Sequence, residues 1–163
     1  MTIAVLPGSF DPITLGHLDI ARRAASLFDG VIVGVAHNST KTPLLGLEER
    51  VALARAATAD IDGVSVEVVD GLLVDFCSRR GAGVIVKGLR GGADYDYERP
   101  MALMNRSLTG IETVFVTGDN ALSHIASSLV RDVARHGGDV SAYVPDGVAD
   151  AVAAALSGGS AAG

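Results

Sequence analysis

The residues best suited to chemistry lie near the start of the chain, in Gly8-Ser9-Phe10-Asp11-Pro12-Ile13-Thr14-Leu15-Gly16-His17. Gly8 lets the backbone turn tightly and approach a ligand. Gly16 and His17 open a predicted helix, where free N–H groups and the helix dipole favour an anion. A histidine at that place can donate to a phosphoryl oxygen, most strongly when protonated. The chain has 13 Lys and Arg residues together, and Lys41 and Lys87 are its two lysines. Both fall at or just beyond the end of a predicted strand, where a compact point charge suits phosphate. Lys87 continues as Gly88-Leu89-Arg90-Gly91-Gly92, which reads as a cationic loop able to fold around a polyphosphate. Ile125-Ala126-Ser127-Ser128-Leu129-Val130-Arg131 follows the fifth predicted strand and opens another helix, with Ser127 or Ser128 as its cap. Two helix starts and two cationic segments on one sheet edge describe a site for an anion longer than one phosphate.

The elements that must position these residues follow from hydrophobic patterning. Thr2–Leu6, Val31–Ala36, Val64–Val69, Val84–Val86 and Thr113–Val116 are continuous apolar or β-branched runs, which suit strands buried on both faces of a parallel sheet. Helical patterns lie between and after them: a stripe of Leu18, Ala21, Ala25 and Phe28, then Glu48–Thr58, Leu72–Arg80, Ala93–Leu108, Ser128–His136 and Val148–Leu156. The βαβα rhythm predicts an α/β fold, a Rossmann-like doubly wound parallel five-stranded sheet in a single domain over residues 1–156, with 157–163 as a flexible tail. Pro100 is expected to kink or restart the fourth helix. In such a sheet the ligand sits beyond the carboxyl ends of the strands, at the switch in strand order.

Other chemistries are excluded. Ser39-Thr40-Lys41-Thr42 lacks the glycine that a P-loop needs before its lysine, and the turn after the first strand carries one glycine instead of a dinucleotide fingerprint. No Ser-His-Asp set or carboxylate pair suggests itself. A net charge of −6 argues against a nucleic-acid partner, and 48% apolar with 20% charged residues argues for a folded globular chain. No apolar stretch approaches the roughly 18 residues of a membrane span, Met1–Leu6 reads as a strand and not a targeting signal, and Cys77 is the lone cysteine. A soluble cytoplasmic protein is expected, with Cys77 a small packed residue in a reducing compartment.

Several of these strings together resemble a known family, the bacterial phosphopantetheine adenylyltransferases. Gly8-Ser9-Phe10-Asp11-Pro12 with Thr14-x-Gly16-His17 matches the His/Thr-x-Gly-His motif of the wider nucleotidyltransferase superfamily. Leu47-Glu48-Glu49-Arg50, Lys87-Gly88-Leu89-Arg90, Asp94-Tyr95-Asp96-Tyr97-Glu98, Met104-Asn105 and Ser127-Ser128-Leu129-Val130 resemble the narrower family. The resemblance implies transfer of AMP from ATP to 4′-phosphopantetheine, giving dephospho-CoA and pyrophosphate, with His17, Lys41 and Arg90 as the catalytic residues. It implies acceptor contacts at Ser9, Lys41, Leu73 and Lys87. ATP would lie along Ser9, Phe10, His17, Gly88, Leu89, Arg90, Glu98, Leu122, Ser123, His124, Ile125, Ala126, Ser127 and Ser128.

A phosphate monoester with a second pKa of about 6 is already a dianion at neutral pH, so the acceptor needs no general base. Mg²⁺ is expected to be held mainly by the ATP phosphates, with Asp11 the nearest carboxylate and no metal ligand set in the chain. The resemblance also implies a homohexamer, with coenzyme A as a feedback inhibitor. Leu122, His124 and Ala126 depart from the family's usual aromatic, aromatic and serine at those places. Two alternatives stay open: another phosphorylated acceptor such as nicotinamide mononucleotide, or a catalytically silent nucleotide-binding regulatory protein.

Overall fold

β-Branched and apolar runs form five strands: β1 (Ile3–Gly8), β2 (Gly30–Ala36), β3 (Val64–Val69), β4 (Ala82–Leu89) and β5 (Glu112–Thr117). Six helices accompany them: α1 (Leu15–Leu27), α2 (Leu47–Ala57), α3 (Leu73–Arg79), α4 (Gly92–Thr109), α5 (Ser127–Arg135) and α6 (Val148–Gly159). The computed structural model describes residues 1–37 and 42–159. All strands are parallel, in the order β3-β2-β1-β4-β5. The Rossmann-like architecture expected from the sequence is the one observed.

Alternate residues of each strand enter two cores. Ala4, Leu6, Val31, Val33, Val84 and Val86 pack with Ile20, Ala21 and Ala24 of α1, Val51 and Ala54 of α2, and Val130, Val148 and Val152. Val5, Ile32 and Ile85 face the opposite side, against Phe76 and Cys77 of α3. Cys77 is a buried free thiol whose pKa burial pushes up to about 11, as befits a packing residue.

The strand order reverses between β1 and β4, and there the two strands part. β1 pairs with β2 from Ile3 to Gly8, but with β4 only at Ile3, Ala4 and Val5. Beyond Ile85, β4 pairs with β5 alone. Pro7 sits inside β1 at the cost of one ladder donor, which is small where a single neighbouring strand remains.

Most element ends shift by one to three residues from the sequence expectation. β4 runs through Leu89 and α4 starts at Gly92, so Gly88 and Leu89 of the expected cationic loop are strand and Gly92 is helix. α4 continues across Pro100 without a break; the helix is largely exposed, so water can take the carbonyl that proline leaves unpartnered. α5 starts at Ser127, with Ala126 as its N-cap and no side-chain cap bond, so neither Ser127 nor Ser128 caps it. α6 extends to Gly159, which makes the first three residues of the expected tail helical; residues 160–163 lie outside the described residues.

Gly88 sets the spacing between β4 and α1. A Cβ there would lie 2.6 Å from Ile20 Cγ1 and 3.0 Å from its Cδ1, and Ile20 is itself buried. Gly88→Ala is therefore expected to cost about 1–3 kcal/mol of stability by overpacking. In urea titrations, the double variant with Ile20→Ala should lose less than the sum of the single variants. Simple additivity would mean that the two residues do not press on each other.

Candidate active site

The parting of β1 and β4 opens a cleft of about 1000 Å³. Among the described residues its lining takes in the predicted site residues, with one exception: Ser9, Phe10, His17, Leu73, Lys87, Gly88, Leu89, Arg90, Glu98, Leu122, Ser123, Ile125, Ala126, Ser127 and Ser128. His124 is the exception. It is exposed and packs edge-on against Tyr143, with ring centroids 5.9 Å apart. Lys41 lies outside the described residues.

His17 is held by the start of its own helix. Thr14, in extended conformation, is the N-cap of α1, and its hydroxyl accepts from the His17 N–H at 3.4 Å. The imidazole reaches back, and its Nδ1 accepts from the Thr14 N–H at 3.1 Å, with the Thr14 Oγ1 3.0 Å away. This is a capping box with histidine in the place usually filled by Glu or Gln. Because a backbone N–H must donate, Nδ1 carries the lone pair and the proton resides on Nε2. The Phe10 ring meets the imidazole edge-on at 5.0 Å.

Burial, and secondly the nearby Arg90 charge, lower the His17 pKa to about 4. The donor offered to a ligand is thus a neutral imidazole, not the protonated one considered from sequence. Across the cleft, the Arg90 guanidinium makes two bonds of 3.0 and 3.1 Å to Asp94, whose backbone partner is the Arg90 N–H. These bonds hold the Asp94 carboxyl below its ordinary range. Lys87 Nζ lies 3.2 Å from Glu98 Oε2, both half-buried.

A layer beneath the cleft was not read from sequence. Asp11 is buried, and its two carboxylate oxygens accept from the Leu44 and Leu45 N–H groups, each at 2.9 Å. Arg131 donates to the Asp11 carbonyl, and Ser127 Oγ donates to the Pro12 carbonyl at 2.8 Å. Arg50 is 2% exposed, and its guanidinium donates to the carbonyls of Ser9, Ala36 and Leu45. Asp19 accepts from the Asp119 N–H at 2.8 Å and ties α1 to the segment after β5. Asp11 is therefore a bracket for the 44–45 backbone. The available signal was a charged residue, Arg50, on the helix face that also carries buried Val51 and Ala54.

Carboxylates on the cleft do not form a cation cage. Asp19, Asp94 and Glu98 already have Arg23, Arg90 and Lys87 as partners, and no group of three His, Cys, Asp or Glu is arranged for a metal among the described residues. What the cleft offers is donors: an imidazole N–H, the cations Lys87, Arg90 and Arg131, and the N-terminus of α5, which has no side-chain cap. Such a set binds phosphates and stabilises charge building on them.

Fold and site together define a nucleotidyltransferase class. Residues 5–133 match the family described as cytidylyltransferase-like. The fold is shared with a solved Vibrio parahaemolyticus structure whose assignment as a nicotinate-nucleotide adenylyltransferase is itself provisional (TM-score 0.66, 20% identity, 93% of this chain and 99% of that one). At much higher identity, 53% over 158 residues, the chain is similar to the phosphopantetheine adenylyltransferase of Bifidobacterium longum (strain DJO10A), covering 96% of this chain and 95% of the relative. The phosphopantetheine adenylyltransferase of Nocardioides sp. (strain ATCC BAA-499 / JS614) is 53% identical over 159 residues, 98% of this chain and 100% of its own. The chain belongs to the phosphopantetheine adenylyltransferase family.

The His17 assignment has a direct spectroscopic consequence. Its folded pKa of about 4 lies below the ordinary value of 6.5, so the unfolded chain takes up a proton that the folded chain refuses as pH falls through that window. This residue's effect on stability is absent above pH 6.5 and becomes destabilising below it. In the ligand-free protein, ¹⁵N NMR of His17 should show a neutral Nε2–H tautomer from pH 8 down to about pH 5. A midpoint near the ordinary 6.5 would contradict the geometry.

Proposed function

We propose that the chain transfers AMP from ATP to 4′-phosphopantetheine. An acceptor phosphate oxygen attacks the α-phosphorus in line, the bond to the β-phosphate bridging oxygen breaks, and dephospho-CoA and pyrophosphate form. The observation that carries this reading is His17, a neutral Nε2–H donor fixed by Thr14 at the mouth of a helix in a cleft that Lys87, Arg90 and Arg131 also line. The acceptor dianion needs no base, so this geometry supports catalysis by positioning and charge stabilisation alone.

His17 donates to the α-phosphoryl oxygen as negative charge builds there. Lys41 bridges the acceptor and nucleotide phosphates. Arg90, released in part from Asp94, and the α5 N-terminus hold the departing pyrophosphate. Ser9, Leu73 and Lys87 contact the acceptor, while Phe10, Gly88, Leu89, Glu98 and the Leu122–Ser128 segment line the nucleotide. That segment approaches ATP without the His124 side chain. Mg²⁺ would be carried on the ATP phosphates and would offset their charge there; Asp19, Asp94 and Glu98 are already paired, which supports coordination mainly by phosphate oxygens and water. Coenzyme A carries both the pantetheine and the adenylyl parts of the product, so competition at the same cleft is expected.

The working form is proposed to be a hexamer, acting in the cytoplasm as the lone buried thiol fits. α4 supports assembly. Its 18 residues bury only Asn105, while Tyr97, Met101, Leu103, Met104 and Leu108 stand exposed. A helix so little covered has an apolar face to bury against another copy.

His17→Ala should lower kcat by about 10²–10³ while the KM values for ATP and acceptor stay within about threefold, because the lost contact belongs to the transition state. Steady-state kinetics on the purified variant decides it. A variant keeping a third of the wild-type kcat would remove His17 from the reaction.

A further inference from the structure

We propose that Arg50 is a positioning residue for phosphoryl binding, acting through the backbone N–H of Phe10; this rests on the function proposed above. Arg50 is 2% exposed and has no carboxylate within salt-bridge distance among the described residues. Nη1 donates at 2.6 Å to the Ser9 carbonyl and at 3.0 Å to the Ala36 carbonyl, and Nε donates at 3.2 Å to the Leu45 carbonyl. One guanidinium fork therefore ties together the turn after β1, the end of β2 and the segment that enters α2.

Burying a full charge on three carbonyls, with no counter-ion, is costly. A neutral side chain could fill the same volume, so the charge and the fork need a reason. The Ser9–Phe10 peptide supplies it. This peptide is trans, and in a planar trans peptide the N–H points opposite to the C=O. With the Ser9 carbonyl pinned to Arg50, the Phe10 N–H is directed away from Arg50. It has no hydrogen-bond partner among the described residues, and Ser9 and Phe10 both line the cleft.

Among the described residues, Phe10 is also the one non-glycine residue with a positive φ, 47°, a left-handed conformation that L-residues disfavour. Such a conformation persists only when its surroundings hold it. Arg50 holds it from the carbonyl side, and from the ring side the Phe10 ring lies so close to Gly8 that a Cβ there would meet it at 3.0 Å. Arg50 thereby keeps the Phe10 N–H aimed at a nucleotide phosphate, in line with the His17 ring that Phe10 contacts.

The test compares the full-length enzyme with its Arg50→Lys variant. Lysine keeps the charge, but a single nitrogen cannot span three carbonyls. Both proteins are labelled with ¹⁵N-phenylalanine, titrated with ATP, and assayed with phosphopantetheine. In the wild type, ATP should shift the Phe10 amide resonance downfield. In Arg50→Lys that shift should disappear and kcat should fall about tenfold or more per folded molecule, with the KM for ATP within about threefold. Wild-type kcat in Arg50→Lys with the Phe10 shift retained would overturn the proposal. A wild-type Phe10 amide that ignores ATP would overturn it whatever the variant does. If the wild type fails to use phosphopantetheine while ATP still shifts its Phe10 amide and the variant loses that shift, the proposed function fails and the role of Arg50 stands.

Discussion

β1 and β4 stay paired for three residues and then separate, and the chemistry of the molecule depends on that parting. In a parallel sheet with strand order β3-β2-β1-β4-β5, the crossovers on either side of β1 run in opposite directions. The loops after β1 and β4 are consequently pulled apart and leave a cleft at the strand ends. Two glycines keep its walls close. Gly8 accommodates the Phe10 ring, and Gly88 lets α1 lie directly on β4. α1 then presents its N-terminus, with His17, to the cleft, and Ser127 and Ser128 at the start of α5 line it too.

Electrostatics in this cleft follow from which groups are already satisfied. The acidic side chains at its rim are committed to arginine, lysine or backbone partners. Below the rim, the Asp11 carboxylate is taken up by two backbone amides, and the Arg50 guanidinium by three carbonyls. What remains to meet a ligand is donors. The chain's net charge is −6, yet the site is built for anions, because the excess acid lies elsewhere or is engaged. Holding His17 neutral fits this arrangement. A neutral N–H gains most when charge grows on its acceptor and does not bind every passing anion tightly beforehand.

Much of this was legible in the sequence where one physical cause dominated. Val64–Val69 was bounded to the residue because a β-branched run stops at glycine and aspartate. The His17 helix start was legible because Thr14 and Gly16 precede it. Legibility failed where tertiary contacts outweighed local preference. Two serines suggested a cap for α5, but Ser127 spends its hydroxyl on the Pro12 carbonyl, so the helix begins with Ala126 uncapped. Pro100 does not restart α4, which runs through it as one helix. Arg50 entered only as the last residue of Leu47-Glu48-Glu49-Arg50, since a string of letters does not reveal which carbonyls converge on one side chain. The backbone partners of Asp11 stayed hidden for the same reason, lying more than thirty residues away at 44 and 45.

The central claim is that this donor-lined cleft joins AMP to a phosphorylated pantetheine. Pyrophosphate release from ATP, followed with 4′-phosphopantetheine, nicotinamide mononucleotide, a polyol phosphate or no acceptor, tests it most directly. Release should be rapid with 4′-phosphopantetheine alone and stoichiometric with dephospho-CoA. Faster release with nicotinamide mononucleotide or the polyol phosphate, or no release with any acceptor, would contradict it.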